Sequence, residues 1–152
     1  MPRLGLRLGL DRTLDRVIWY GRGPQETHTD RKLGAKIGVY DLSIELMHHP
    51  YVWPQLNGNR TDVRWVKFLN GSGKGLMFCS DQLFQFTAHD YTDQDLEKAR
   101  HDHEIVRRDF VDLQLDHQQM GIGGDDAWGA EVHEKYWVPA RAYDYKVWIR
   151  PV

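Results

Sequence analysis

The octapeptide RLGLRLGL at residues 3–10 places Leu4, Leu6, Leu8 and Leu10 in alternation with Arg3, Gly5, Arg7 and Gly9. A period of two puts successive side chains on opposite faces, so the segment reads as a half-buried strand. The same pattern recurs outward along the chain. RVIWYGRG (16–23) is a second strand, closed by GRGPQ, where Gly23 and Pro24 end the pairing. KIGVYDLSIE (36–45) is a third. HHPYVWPQLNGNR (48–60), with two prolines and Asn57-Gly58, is a long irregular connection. TDVRWVKFLN, the turn NGSGKG and GLMFCS form a hairpin, and LFQFTAHDY continues strand-like. Thr92 with Asp95 is a capping-box start, followed by the helix formers of DLEKARHDHE (95–104). VRRDFVDLQLD and YDYKVWIRP return to strand, the latter with Tyr143, Tyr145, Val147 and Ile149 on one face. Residues 1–152 therefore read as one mainly β domain, an antiparallel sandwich with one short helix.

Bulk properties agree. At 152 residues the chain suits one domain, and 41% hydrophobic with 28% charged residues is a globular profile. A net charge of −2 gives no electrostatic case for nucleic acid or an anionic membrane. Apolar runs are too short to span a bilayer, and the N-terminal stretch lacks a signal peptide's hydrophobic core. The single cysteine, Cys79, has no partner for an internal disulfide and fits a reducing, cytoplasmic setting. Six tryptophans and seven tyrosines are many for this length; aromatics favour strands and also make flat platforms for sugars.

Motifs for chemistry are sparse. Eight histidines invite a metal site, yet none has zinc-motif spacing. His101 and His103 would point to different faces of a helix, and His48 and His49 are adjacent, so solvated surface histidines are expected and no metal is assigned. Glycoside chemistry needs two carboxyls about 5–10 Å apart. Asp125 and Asp126 are better suited to holding a turn, and Asp30 and Arg31 to tying down the loop PQETHTDR. GSGKG lacks Walker spacing. No residue is assigned a catalytic role.

MGIGGDDAWGAE (120–131) is the exception to the strand pattern: four glycines and two aspartates surround Trp128. Trp19, Trp65 and Trp148 lie inside strands, with Trp137 expected to join them, and packing accounts for these; Trp53 is placed to cap the core. Trp128 has no such pattern around it. From the residues alone, a loop folded back on the core and a ligand platform both stand.

WYGRGPQETHTDR (19–31), PYVWPQLNGNRTDVRW (50–65) and LDHQQMGIGGDDAWGAEVHEKY (115–136) together resemble the C-terminal domain of family-two β-galactosidases, as does the terminal RP after an aromatic strand. The resemblance runs in order over essentially the whole chain. It implies part of a galactose-mutarotase-like antiparallel supersandwich, sometimes encoded separately as a small chain. It also implies that the catalytic glutamates lie on a TIM barrel outside this chain, with magnesium and sodium ions there and no cofactor here. The isolated chain would then be inactive. One contribution carries over: the tryptophan of the family's GGDDSW motif stacks against the sugar in the barrel's active site, and here it is Trp128, with Ala127 for the usual serine. Gly121, Gly123 and Gly124 would shape its loop, and Asp125 and Asp126 would pin it.

Some positions depart from the family pattern. Thr27 and His28 stand where GPxENYxDR has Asn and Tyr, and Leu56 replaces the glutamate of PQENGNR, which predicts lost polar contacts in both loops. The chain covers about the second half of the supersandwich, so a fragment, a truncated small chain and an alternatively covered edge are all compatible. The implied partners are a catalytic barrel and a galactoside such as lactose; uncovered strand edges predict a homo-oligomer in isolation. A stand-alone carbohydrate-binding module of the mutarotase-like superfamily is the main alternative, with mutarotase-type epimerisation a weaker one and a purely structural remnant the plainest.

Overall fold

A computed structural model of the chain describes residues 1–126 and 129–152. Among the described residues, seven strands form one antiparallel sheet: β1 (Arg3–Asp11), β2 (Arg16–Gly23), β3 (Lys36–Ser43), β4 (Arg60–Leu69), β5 (Gly75–His89), β6 (Phe110–Gln119) and β7 (Val147–Pro151). Their order is β1-β6-β5-β4-β2-β3, with β7 also paired to β5. The long strand β5 explains this branching. Its first half, Leu76 to Ser80, pairs with β7, and its second half, Gln85 to His89, pairs with β6. Between them the β4–β5 register slips, from Trp65↔Cys79 to Val63↔Phe84. Such irregularities bend a sheet and let it turn a corner. Asp62, at φ 53°, sits in this bend, its carboxylate held by Arg22 at 2.5 Å and Lys32 at 2.8 Å.

The bend gathers apolar residues from both arms into one core. Val17 and Trp19, Val66 and Phe68, and Phe86, Leu113 and Leu115 are fully buried together, with Trp19 packed edge-on to Phe86 at 5.9 Å. β1 delivers Leu8 and Leu10 to that core, while Leu6, on the edge strand, stays 48% exposed. The helix α1 (Asp93–Lys98) starts with the expected capping box at Thr92 and Asp95, but stops six residues short of Glu104, where the run of helix formers ends. Ala99 is already extended, which lets Tyr91, Leu96, Ala99 and Ile105 close a second small core; packing overrides helix propensity here.

Three other expectations are corrected. Trp137 lies in no strand but caps the 3₁₀ turn Glu134–Tyr136, and Trp53 is 65% exposed and does not belong to the core. β7 begins only at Val147; Tyr145 precedes it yet packs on the core, whereas Ile149 is exposed. Trp65 and Trp148 face outward. Cross-strand register aligns Val39, Tyr20, Trp65, Cys79 and Trp148 in one row on the outer face, with Val39, Tyr20 and Trp148 exposed.

The other arm has no such bare face. Gln85, Thr87 and His89 of β5 and Asp112, Gln114 and Asp116 of β6 point away from the core but are buried. Buried carboxylates must be paired. Arg3 binds Asp116 at 2.5 Å and Arg7 binds Asp112 at 2.6 Å, while Asp93 of α1 accepts from Gln114. Loops and α1 thus roof this polar layer, and the functional candidates lie in that roof.

Candidate functional site

The glycine-rich segment is held from both sides of positions 127 and 128. Upstream, the Asp30 carboxylate accepts hydrogen bonds from the Ile122 amide at 2.9 Å and the Gly123 amide at 2.8 Å. Thr29 donates to the Gln119 carbonyl, and Gly121 N–H donates to Tyr136 O. Downstream, Asp126 accepts from the amides of Gly129 and Ala130, and Asp125 bonds the His133 ring at 2.7 Å. Trp137 donates its indole N–H to Val132 O. Gly124 passes so close to Ala130 that a Cβ would fall 2.2 Å from its carbonyl oxygen, so no larger residue fits unshifted. Gly121 is packed closely against the Asp30 carboxylate, whereas at Gly123 a Cβ would meet Asp30 only in ordinary contact at 3.7 Å. Trp128 itself, with Ala127, lies outside the described residues.

Asp30 belongs to the loop PQETHTDR, which is itself anchored. The Glu26 carboxylate accepts from the Tyr51 hydroxyl, from Arg31 at 2.5 Å and from the Gly58 amide at 2.8 Å. Burial pushes this carboxyl up, but the Tyr51 and Gly58 hydrogen bonds and the Arg31 charge outweigh it and hold Glu26 below its ordinary range. Gly58 adopts φ +77°, and a Cβ there would strike the His89 ring, which accounts for the Asn57-Gly58 turn. Thr27, at a departure from the family pattern, is turned inward: its hydroxyl accepts from Thr61 N and meets the Thr61 hydroxyl. Its polar contacts are internal to this chain. Leu56 is 55% exposed.

Histidines overturn the expectation of a solvated set. His28 and His89 are buried, and His48 bridges the Tyr91 hydroxyl and Asp102 at 2.6 Å each. Burial drives the His89 imidazole down to about 4, and burial likewise lowers His28. Both are therefore neutral near pH 7. His101 and His103 are exposed, and their rings stack at 5.6 Å because the helix has ended before them. The sequence did hold a signal for His89. It shares the period-two parity of Gln85 and Thr87, marking a polar face, but the loops that bury that face are distant in sequence.

A cavity of ≈ 140 Å³ lies between this polar layer, α1 and the start of the glycine-rich loop. Asn59 organises its floor, donating to Thr27 O and Gln85 and accepting from Thr87 and Gln119. Leu56, Leu96, Met120 and Ile122 give it an apolar side.

Comparison with known proteins adds the lineage. Residues 1–149 match the family model for the β-galactosidase small chain. The β-galactosidase of Priestia megaterium is 35% identical over 153 residues, taking in 100% of this chain and 15% of that protein. Those of Photobacterium profundum and Vibrio cholerae are 35% and 36% identical, each over 99% of this chain and 14% of the relative. The chain thus spans about a seventh of the length of these relatives.

Proposed function

The chain belongs to the β-galactosidase small-chain family, and on that premise we propose that it is a non-catalytic part of a β-galactosidase. In this reading it braces a larger catalytic part and lends Trp128 as an aromatic platform for the galactoside, lactose included. The observation that carries it is the double anchorage of the glycine-rich loop, through Asp30 on one side and Asp126 on the other. A loop with so many glycines would be floppy if untied, and a platform acts only when its position is fixed before the sugar arrives. Support for a large partner comes from the outer-face row Val39–Tyr20–Trp65–Cys79–Trp148, with Val39, Tyr20 and Trp148 exposed, an apolar surface of a kind that contacts another protein surface.

The test is Trp128→Ala in a β-galactosidase that contains this chain. An indole covering several tens of Å² of a sugar's C–H face contributes roughly 1–2 kcal/mol. Expected is an approximately five- to thirtyfold loss in kcat/KM, partly restored by Trp128→Phe, with unchanged thermal unfolding. Unchanged KM and kcat for lactose would remove the platform role.

A further inference from the structure

We propose that the cavity beneath Leu56 and Ile122 is a binding site for a small neutral polyol, glycerol whole or a sugar ring in part. The inference does not use Trp128 and stands or falls apart from the platform reading. Its observations are the hydrogen-bond state of two buried imidazoles and the two-sided character of the walls.

His89 places Nε2 at 3.0 Å from the Asn57 carbonyl oxygen. A carbonyl only accepts, so Nε2 carries the proton, and a neutral ring then has a bare lone pair at Nδ1. Among the described residues that Nδ1 is buried without a hydrogen-bond partner, as is Nδ1 of His28, and both residues line this cavity. His89 is 5% exposed and so is His28. An occupant must therefore offer O–H or N–H donors. Arg3 and Asp93 bring opposite charges to the lining, and Arg3 is already paired with Asp116, so the walls ask for no net charge on the occupant. A hydroxyl donates without net charge. Leu56, Leu96, Met120 and Ile122 supply the complementary apolar side for C–H groups. A polyol has this pairing of hydroxyls with a C–H skeleton. The volume of ≈ 140 Å³ resembles that of a cavity known to hold benzene, a molecule of six heavy atoms, so it takes glycerol whole and a sugar ring only in part.

The experiment is ¹⁵N-detected histidine NMR on the purified protein, titrated separately with glycerol and with galactose. Saturable shifts of the His89 and His28 Nδ1 signals toward the hydrogen-bonded range are expected, with a Kd in roughly the millimolar range typical of a few contacts. Leu56→Arg, at an exposed position on the cavity wall, should raise that Kd about tenfold or more while leaving the spectrum of the core unchanged. Three results would overturn the proposal: no saturable shift with either probe, shifts equal in the wild type and Leu56→Arg, or Nδ1 signals already hydrogen-bonded to water and indifferent to both polyols.

Discussion

Replacing Asp30 by alanine removes one acceptor from two amides at once, those of Ile122 and Gly123. Hydrogen bonds to a carboxylate at 2.8–2.9 Å are charge-assisted, and such bonds contribute about 1.5–3 kcal/mol each where water is excluded. Ile122 and Gly123 are exposed, so water takes over part of the lost bonding. The net local cost is then about 1–2 kcal/mol, a five- to thirtyfold rise in the open population of this loop. Hydrogen exchange reads this directly. The Ile122 and Gly123 amides should exchange about tenfold faster in Asp30→Ala, while the Val66 amide in β4 should barely change. Asp30→Asn, which keeps a neutral acceptor, should fall between. In a complete β-galactosidase, kcat/KM should drop in the same order, because a loosened loop holds its platform less well. Unchanged exchange at Ile122 and Gly123 would refute the anchorage, and equal acceleration at Val66 would mean that Asp30 supports the whole fold instead.

Three further expectations follow from the same structure. His89 is held at about 4 against an ordinary 6.5; the unfolded chain takes up that proton first, so stability is full above about pH 6.5 and falls toward pH 4, by about 3 kcal/mol in all. Urea midpoints measured from pH 7.5 to 4.5 should show this slope, and His89→Gln should flatten it; an equal slope in the variant would remove His89 as its source. Trp19→Ala should lose roughly 3–5 kcal/mol as a core cavity, whereas Trp65→Ala, on the outer face, should lose only about 1 kcal/mol by thermal or urea unfolding, and equal losses would contradict the assigned faces. The purified chain alone should not hydrolyse a chromogenic galactoside, and turnover above a mock preparation would show chemistry within it.

The contrast between Trp19 and Trp65 shows how far the sequence could be read. In TDVRWVKFL, Val63 and Trp65 share one parity and Val66 and Phe68 the other, so alternation alone leaves both faces apolar. The register slip between Val63 and Trp65 resolves this: Val63, Val66 and Phe68 face the core, and Trp65 does not. A break of phase within a strand was thus the visible trace of the bend. The capping box at Thr92 was equally legible because its partners are three residues apart. The end of α1 was not, since Ala99 leaves the helix in order to pack with Tyr91 and Ile105. Local signals reveal local structure, and tertiary packing decides the rest.

The candidate site lies at the far end of that scale. MGIGGDDAWGAE announces only that the backbone must come close to something, and Gly124 against Ala130 is that approach. What holds the loop comes from far away: Asp30 reaches Ile122 across 92 residues, and Asp30 is itself fixed by a loop whose Glu26 is clamped by Tyr51 and Gly58. The three motifs that carried the family resemblance are therefore one physical chain of contacts. PQETHTDR supplies the acceptor, PQLNGNR braces PQETHTDR through Glu26 and Thr27, and the glycine-rich loop is held at the end of the series. Changes in the first two motifs should reach the glycine-rich loop chiefly through Asp30, with Thr29 and Asn59 as further links by way of Gln119. That dependence explains how Thr27 and Leu56 can depart from the family pattern while the anchorage of the loop persists.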